Sequence, residues 1–520
     1  MIAGCTGSLR RGILYLTLDT RGSSVNVFTP AVALELEREL QAGLAAGARA
    51  VVLQSGKPGS FVNGVGLLLA ASSNSEKAAM ERARTLQRCY ETLAAAPVPT
   101  IAAVEGNCYG CGLELALTCD YRVARDSYDT HFYMPELRDY AFIPLFGGTQ
   151  RLPLLLGLRA GMQVLLGERI EARRALRMGL VDRLAPRDGV GEVVRTFLLE
   201  LGSRGWPKRS GRLARRGADV DLGALPGPER RLARECLRLA RLPFLPGYRL
   251  EDGLREEMSS SWRSVGTKES ERAISFFFVR QTAKAHAIGS AAYQRPDRVA
   301  LSVERRTPLL RQLARILEER RLPGVDLRRR GSIAFATKGI ARAFTCVVGA
   351  LRGDADCSAF LPFPQAEVPP IEIVPPADAQ MPWRSGAALF QVLEQAGFTP
   401  VVTRARDRFV SERLLEAFAD AAGSGPSRGA LLEFGYRLPR SLARRLRPGG
   451  TSTTIGERVS RAIAAACIAA LDREELTHPS QADLLAAVLF GFPAVRGGLL
   501  RHVASGTSPL ARDAARVLGR

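Results

Sequence analysis

Residues 104–114 read VEGNCYGCGLE, and this stretch decides the fold of the first part of the chain. It is typical of a buried strand, a glycine-rich turn and a helix that carries a glutamate, Glu114, in its first turn. Such a turn directs unpaired backbone N–H groups and the positive end of a helix dipole at one point. That geometry suits an oxyanion, and a carboxylate one helical turn away could move a proton beside it. A second glutamate, Glu136, follows about twenty residues later in the segment MPEL.

The composition indicates a folded protein with several domains. The chain has 520 residues, of which 46% are hydrophobic, so we expect roughly two to four domains rather than a single core. No apolar run approaches the roughly 18 residues of a membrane span. The first residues lack the basic and apolar regions of a signal peptide. We therefore expect no transmembrane segment and a cytoplasmic location.

Cysteine and histidine usage gives no indication of a metal centre. The nine cysteines are odd in number and show no framework spacing, which is typical of reduced thiols. Cys108 and Cys111 form a CxxC pair, but no second pair or nearby histidine completes a zinc site. We expect these two residues to be ordinary loop residues and expect no bound metal.

The formal net charge of +21 is carried mostly by arginine. A basic surface attracts anions such as nucleic acid, anionic lipid, the phosphates of coenzyme A or an acidic carrier protein. Arginines spread over solvated faces would give the same charge without any partner. Because aromatic and basic residues do not alternate as they do in single-strand binding platforms, we expect no nucleic-acid partner.

The first 200 residues alternate between strand and helix signals. Strands are predicted over 12–18, 48–54 and 100–104, and helices over 29–46 and 76–95. This alternation favours parallel strands joined by right-handed crossovers, in an α/β fold.

The remainder of the chain is less regular. Residues 202–228 are rich in Gly, Pro and Arg and read as a linker. Helices are predicted over 228–287, over the charged stretch 296–330, and from 456 onward. Residues 331–430 contain short apolar strands and a proline-rich run.

Several motifs occur in an order and at a spacing that point to a known family. They are KPGSFVNGV at 57–65, the stretch at 104–116, PE at 135–136, GGTQRL at 147–152 and ALRMGLVDRL at 175–184. Together they give residues 10–200 a clear resemblance to the crotonase (enoyl-CoA hydratase/isomerase) superfamily. The resemblance implies a crotonase-like ββα superhelix as the N-terminal module.

The resemblance also implies chemistry on an acyl thioester. The thioester carbonyl would accept hydrogen bonds from the backbone N–H groups of Val65 and Cys111, and the glycines beside them, Gly64, Gly110 and Gly112, would shape the oxyanion and substrate site. These donors would stabilise the enolate that forms when a nucleophile adds at Cβ or a proton leaves Cα. One such donor is worth roughly 3–4 kcal/mol in the transition state.

Two glutamates hold a water in the hydratases of this family and pass its proton to Cα. The matching positions are Glu114 and Glu136, which we therefore expect to be catalytic. Members that only shift a double bond often keep one of the two, so the presence of both favours hydration. His131 matches no catalytic position and is expected to be a spacer.

The chain departs from the family pattern at two positions of the oxyanion loops. Gly66 replaces an aspartate that often follows the first donor, and Cys111 stands where many members have glycine. A backbone N–H donates whatever its side chain, so the oxyanion hole can persist. A cysteine nevertheless disfavours positive φ and would narrow the entrance for the acyl chain.

The second half resembles the multifunctional β-oxidation enzymes that fuse a hydratase to a 3-hydroxyacyl-CoA dehydrogenase. The resemblance rests on the end of a linker helix, FFFVR at 276–280, on RFVSERLL at 408–415, and on the tail at 482–498. It implies that a linker helix and a mostly α-helical C-terminal region, derived from such a dehydrogenase, follow the crotonase module.

Dehydrogenase activity is predicted to be lost. The place of the phosphate-binding G-x-G-x-x-G reads IAFATKGIARA at 333–343, where only the last of the three glycines, Gly339, is kept. The family needs a catalytic histidine in this half, and none occurs between His286 and His478. We therefore expect no NAD site and no bound cofactor.

The predicted organisation comprises four segments. They are a crotonase domain over 1–201, a linker and helical segment over 202–330, a degenerate remnant of the dehydrogenase nucleotide domain with the first C-terminal helical region over 331–430, and a dehydrogenase-like helical domain over 431–520.

The sequence thus predicts an enoyl thioester hydratase, a lyase that adds water to a 2-enoyl-CoA double bond or removes it. Two alternatives stay open: a double-bond isomerase that uses Glu136 alone, and a non-catalytic, partner-binding relic of a multifunctional enzyme. The expected ligand is an acyl-CoA or acyl-carrier-protein thioester. A thiolase-like or carrier-protein partner is conceivable from the resemblance.

Overall fold

The computed structural model describes most of the chain, with gaps concentrated between residues 289 and 397. The described residues are 4–23, 25–57, 59–64, 76–127, 130–186, 189–207, 220–288, 299–302, 325–328, 333–335, 344–348, 357–363, 369–381, 383, 386, 390, 393–394, 398–423, 425, 427–450 and 452–519. The chain divides into two compact units. The first unit comprises Met1–Gly223 and Arg231–Ser270, and the second comprises Ala224–Arg230 and Glu271–Arg520.

The first unit is built on short strands, most of them largely buried. In its described part they are β1 Cys5–Arg10, β2 Ile13–Leu18, β3 Ala50–Ser55, β4 Ser60–Val62, β5 Thr100–Val104, β6 Asn107–Tyr109, β7 Tyr121–Arg125, β8 His131–Tyr133, β9 Ile170–Glu171 and β10 Arg183–Ala185. Six of them form one sheet in the order β1-β2-β3-β5-β7-β10, and the other four form a second sheet in the order β4-β6-β8-β9. The larger sheet is parallel apart from the hairpin of β1 and β2.

Helices connect these strands and continue beyond them. Up to residue 288, the α-helices in the described ranges are α1 Pro30–Ala45, α2 Glu76–Ala94, α3 Cys111–Thr118, α4 Glu136–Tyr140, α5 Gly148–Leu156, α6 Leu158–Leu165, α7 Ala172–Met178, α8 Val190–Ser203, α9 Gly227–Arg241, α10 Leu250–Val265 and α11 Lys268–Ile288. Thr29 caps α1 by accepting the Val32 N–H, and Pro30 occupies the first helical position, where a missing N–H costs nothing. The predicted strands and helices of the first 104 residues are thus confirmed to within two residues.

One core of the first unit lies between the larger sheet and α8. Alternate residues of the sheet, such as Ala50 and Val52 on β3, point to one face, as the two-residue period of a strand requires. They pack against the apolar side of α8, which includes Val194, Phe197 and Leu201. Opposite residues such as Val51 and Leu53 are also fully buried, so both faces of the sheet are covered, as is usual for parallel strands.

The second unit combines strands with a larger set of helices. Its described strands are β11 Val299–Ser302, β12 Val325–Arg328, β13 Ile333–Phe335, β14 Phe344–Val348, β15 Cys357–Phe360, β16 Pro370–Val374 and β17 Thr399–Val402. Its helices after the strands are α12 Val410–Ala422, α13 Arg428–Phe434, α14 Arg440–Ala443, α15 Thr454–Asp472, α16 Pro479–Phe490, α17 Leu499–Ala504 and α18 Pro509–Leu518. A continuous core joins β16 and β17 to these helices.

The sheets of the second unit differ from a regular α/β pattern. Strands β13 to β17 follow one another in sequence order, and parallel pairs alternate with antiparallel ones. Strands β11 and β12 form a separate parallel pair. The prediction of helix over 296–330 is therefore wrong at both ends of that stretch, where the short segments VALS and VDLR form strands despite the mixed charges around them. The short strands expected over 331–430 and the helices expected from 456 are confirmed.

None of the helices in the described ranges has the length and apolar character that crossing a bilayer requires.

Candidate active site

Strand pairing in the smaller sheet brings the two predicted oxyanion loops together. β4 runs parallel to β6, with Ser60 opposite Asn107, so the chain leaves both strands at the same end. A Cβ added to Gly112 would lie 2.4 Å from the carbonyl oxygen of Val62. Only glycine permits this close approach. Gly64 lies just beyond β4, whereas Val65, the first predicted oxyanion donor, falls outside the described residues.

The turn before α3 presents a backbone donor. Gly110 adopts φ 53° and ψ −123°, and its N–H donates to the carbonyl of Tyr133 at 2.8 Å. The positive φ of this turn thus falls on Gly110, and Cys111 is free of that strain. The Cys111 N–H donates to no described residue, as expected for the first residue of a helix. It is therefore available to an external acceptor.

Glu114 lies one turn into α3 and is held by a loop from the other side. It is buried, and its Oε1 accepts the N–H groups of Phe146 at 2.8 Å and Gly148 at 2.9 Å. Gly148 has to be small, because a Cβ there would lie 3.0 Å from the same oxygen. Oε2 accepts no hydrogen bond from the described residues. The carboxylate is thus fixed through Oε1.

Glu136 opens α4 and lies over Gly110. A Cβ added to Gly110 would be 2.4 Å from Glu136 Oε1. The side chain is 7% exposed, and its buried Oε2 has no hydrogen-bond partner among the described residues. An unsatisfied buried carboxylate oxygen costs about 1–3 kcal/mol or more. Structures retain such an atom where a ligand satisfies it.

The electrostatics of the site favour protonated carboxyl groups. Burial raises the pKa of Glu114 well above its usual range, and the charges of Glu257 and Glu136 raise it further. The two backbone N–H bonds to Glu114 lower the pKa but do not offset these effects. Burial also raises the pKa of Glu136 to about 8, with Asp139 and Glu257 acting in the same direction. Carboxyl groups that keep a proton near neutral pH are suited to general acid–base chemistry.

The structure adds three residues to this site that the sequence did not reveal: Tyr90, Phe146 and Glu257. Tyr90 of α2 donates its hydroxyl to the Cys111 carbonyl at 2.7 Å and stacks on Phe146, with ring centroids 5.1 Å apart. Glu257 of α10 accepts backbone N–H groups from the loop that also binds Glu114. A glutamate in the helical segment after the linker carries no motif, and its neighbours in the sequence, LREEMSSSW at 254–262, are mostly polar, so no sequence signal pointed to it.

The remaining predicted or rejected candidates lie in structural positions. Cys108 belongs to β6 rather than to a loop, and both it and Cys111 are buried free thiols. His131 begins β8, opposite Glu171 of β9. Within the described ranges, no three His, Cys, Asp or Glu side chains are grouped so that they could hold a metal ion.

Comparison with known proteins agrees with this geometry. The family model described as enoyl-CoA hydratase/isomerase matches residues 8–205. The N-terminal part of the chain is thus a module similar to the enoyl-CoA hydratase/isomerase family. This module has the crotonase fold, and the resemblance predicted from the oxyanion loops is confirmed.

Curated relatives match a similar length of chain. The fatty acid oxidation complex subunit alpha of Vibrio parahaemolyticus is 33% identical over 203 residues, which are 38% of this chain and 29% of the relative. The protein of the same name from Shewanella loihica is 38% identical over 183 residues, 34% of this chain and 25% of the relative. The matched part therefore spans less than a third of these relatives.

Among solved structures, an enoyl-CoA hydratase from Mycobacterium avium subsp. paratuberculosis is similar with a TM-score of 0.40 and 21% identity, covering 54% of this chain and 97% of that one. The hydratase/isomerase module and a mostly helical C-terminal region agree with the predicted fold class. The four predicted segment boundaries, the roles of the site residues and the predicted lack of a cofactor stay predictions.

Proposed function

We propose that the chain adds water reversibly to the double bond of a 2-enoyl thioester, with Glu114 and Glu136 as the acid–base pair. The observation that carries this proposal is that two buried carboxyl groups meet at one turn. Glu136 lies against Gly110, its charge acts on Glu114 in the helix that follows, and the Cys111 N–H between them donates to no described residue. Similarity to the hydratase/isomerase family supports an enzyme of this class.

The proposed reaction uses each part of the site once. A water held between the two glutamates adds its oxygen to Cβ, and the carbonyl oxygen takes up negative charge as an enolate. A proton then reaches Cα, so the hydroxyl and the hydrogen of one water end on neighbouring carbons. One carboxyl group must be ionised and the other protonated at the start. Mutual repulsion of two buried carboxylates favours this singly protonated pair.

The thioester oxygen would bind at the N-terminus of α3. The Cys111 N–H and, by family resemblance, the Val65 N–H would donate to it, with Gly64, Gly110 and Gly112 leaving room for the backbone to approach. Preorganised donors of this kind are worth roughly 10²–10³ in kcat each. Tyr90 supports this arrangement because its hydroxyl donates to the carbonyl of Cys111, the residue that carries the proposed donor, and so restrains the backbone at that residue.

A double-bond isomerase is the second candidate. The observation that favours it is the asymmetry of the two glutamates: Glu114 accepts two backbone N–H bonds, whereas Glu136 keeps an unpaired buried oxygen. An isomerase needs a single carboxylate to remove a proton and return it elsewhere. Glu136 alone would suffice for that reaction.

The test is turnover of enoyl thioesters by the full chain. Crotonyl-CoA, longer 2-enoyl-CoA and a carrier-protein-bound enoyl thioester are each followed by loss of the conjugated enoyl absorbance. Hydration should occur with at least one of them and should collapse in Glu114→Gln. Retained isomerisation of a 3-enoyl-CoA in that variant would instead favour the isomerase. A complete lack of turnover by the wild type would favour a non-catalytic, partner-binding relic.

We further propose that the second unit carries no dehydrogenase activity. A dinucleotide site needs parallel strands joined by a glycine-rich turn and a helix. The segment at its expected place, 336–343 with Gly339, lies outside the described residues, and the strands on either side of it, β13 and β14, pair antiparallel. Antiparallel strands are not the parallel pair on which a dinucleotide site is built, so the described strands do not fit NAD. The expected result is no reduction of NAD with 3-hydroxyacyl-CoA substrates.

A further inference from the structure

One loop of the first unit connects two buried carboxylates. The N–H groups of Phe146 and Gly148 donate to Glu114 Oε1 at 2.8 and 2.9 Å. The N–H groups between and after them donate to Glu257: that of Gly147 to Oε1, and that of Thr149 to Oε2 at 2.7 Å. Four consecutive backbone donors thus alternate between a glutamate of α3 and a glutamate of α10. Neither carboxylate can shift without moving the loop that holds the other.

Glu257 is completely buried and lies outside the part of the chain that matches the family model. Its exposed fraction is 0%, and the family match ends at residue 205. The Thr149 hydroxyl also donates to Oε2. A chain of side-chain bonds extends this anchor, because Gln150 Nε2 donates to the Thr149 hydroxyl at 2.7 Å and the Tyr248 hydroxyl donates to Gln150 Oε1 at 3.1 Å.

The surroundings of Glu257 mix one positive group with several negative or neutral ones. Burial raises its pKa to about 7, although the Thr149 hydroxyl, the N–H bonds and the charge of Arg151 act in the opposite direction. The titratable groups that interact with it come from several elements of the first unit: Glu114 of α3, Glu136 of α4, Arg151 of α5, Cys236 of α9 and Tyr248 before α10. Among these, its charge opposes ionisation of both proposed catalytic glutamates.

We propose that Glu257 is a positioning residue for Glu114, because it fixes the loop whose N–H groups hold Glu114 Oε1. When Glu257 is ionised, its charge also disfavours ionisation of Glu114. The inference rests on the proposed function of the site, since it assigns a role in the same reaction. Glu257 differs from a purely structural anchor in that the loop it holds also binds a proposed catalytic carboxylate. Burying a third carboxylate beside two others lowers the free energy of unfolding, and a well-packed neutral residue would lower it less.

Glu372 of the second unit is a matched control. It too is buried and accepts two consecutive backbone N–H groups, from Val410 at 2.9 Å and Ser411 at 2.7 Å, together with a threonine hydroxyl from Thr403. Its hydrogen bonds therefore reproduce those of Glu257 in another unit. Glu372→Gln should disturb folding to a similar degree without touching the chemistry.

The experiment combines kinetics with infrared titration of the full chain. Glu257→Gln should lower kcat by about 10²-fold, as expected for a misplaced catalytic group, with little change in KM. The carboxyl stretching band that disappears in Glu114→Gln should titrate about one pH unit lower in Glu257→Gln, because a repelling charge is removed. Glu372→Gln should leave kcat and this band unchanged.

Thr149→Val provides a second test if Glu257→Gln does not fold. Loss of the hydroxyl donor weakens the ionised form of Glu257, so the band of Glu114 should move in the same direction by a smaller amount. Wild-type kcat and an unshifted band in Glu257→Gln, or an equal shift in Glu372→Gln, would overturn the proposal. If the wild type turned over no enoyl thioester, the proposed function would fail, whereas the infrared titration would still report on the effect of Glu257.

Discussion

Buried carboxylates occur in both units, but their surroundings differ. In the second unit, Glu372 caps the start of α12, Asp483 accepts the Leu500 N–H at 2.8 Å, and Glu475 pairs with Arg413 and Arg473. Each of these carboxylates stands apart from the others and has donors or cations around it. In the first unit, Glu114, Glu136 and Glu257 raise one another's pKa or are raised together by burial, and Glu136 leaves one oxygen unpaired among the described residues.

The comparison teaches which property distinguishes a reactive site from a structural one. Burial raises the pKa of Asp483 to about 7 and also raises that of Glu372, so a raised pKa alone does not mark a site. The features that mark the site in the first unit are the repulsion between neighbouring carboxylates and the unpaired oxygen of Glu136. An isolated carboxylate whose oxygens all accept hydrogen bonds holds the backbone in place. A carboxylate that is repelled by its neighbours and keeps an unpaired oxygen lowers the stability of the fold, and such a group is typical of a site that binds substrate.

The largest expected effect is loss of activity in Glu136→Gln. The substitution keeps the shape of the side chain but removes its ability to exchange a proton, and general acid–base groups contribute roughly 10²–10⁴-fold. The measurement is kcat for enoyl-CoA hydration at saturating substrate. Glu475→Gln, in which a buried carboxylate of the second unit is changed in the same way, should retain wild-type kcat. An equal fall of kcat in Glu136→Gln and Glu475→Gln would contradict the assignment of a reactive carboxylate to the first unit and a structural one to the second.

In the second unit we expect Glu475→Gln to lower stability rather than activity. Glu475 is 1% exposed, and its carboxylate neutralises Arg413, which is largely buried. Removal of one partner from such a pair costs about 3 kcal/mol, and urea unfolding followed by circular dichroism should show a lower midpoint. Glu136→Gln should not lower the midpoint, because Glu136 forms no ion pair with any cation in the described ranges. A destabilised Glu136→Gln would show that Glu136 is also structural.

The sequence predicted the parts of this comparison that depend on local pattern. The strand, turn and helix at 104–114 follow from apolar runs and glycine spacing, and Glu114 and Glu136 lie on motifs that a resemblance can identify. Glu257 could not be predicted in this way. Its partners are backbone N–H groups about 110 residues away in sequence, and a backbone donor leaves no side-chain signature.

The second unit shows the same limit for secondary structure. Residues 296–330 carry mixed charges typical of an exposed helix, yet both described ends pair as strands β11 and β12. Pairing between segments separated by more than twenty residues depends on tertiary contacts, which override a weak local preference. The helices from 456 onward were predictable because their apolar period of 3.6 residues persists over many turns.

A smaller effect is expected on the pH dependence of stability. The folded pKa of Glu136, about 8, lies above its unfolded value of 4.5. The folded state therefore binds more protons between these values, and the stabilisation by protonated Glu136, complete below pH 4.5, is lost as pH rises to about 8. Glu136→Gln should flatten the fall of the urea midpoint between pH 5 and pH 8. The exposed Glu192→Gln should follow the wild type, and identical profiles for all three proteins would contradict a buried, protonated Glu136.

The smallest effect concerns the support of the oxyanion donor rather than a carboxylate. Tyr90→Phe removes one hydrogen bond to the Cys111 carbonyl and keeps the ring stacked on Phe146. A single buried hydrogen bond is worth about 1 kcal/mol net, so stability should fall by that amount. If the bond also orients the Cys111 peptide unit, kcat for hydration should fall severalfold while KM changes little. Tyr436→Phe is the matched control, because Tyr436 shares a buried hydrogen bond of 2.8 Å with Ser460 in the second unit. Tyr436→Phe should lose a similar amount of stability and keep wild-type kcat. A fall in kcat in Tyr436→Phe would mean that loss of a buried hydroxyl lowers activity by loosening the whole protein, and this would refute a specific role for the turn at Cys111.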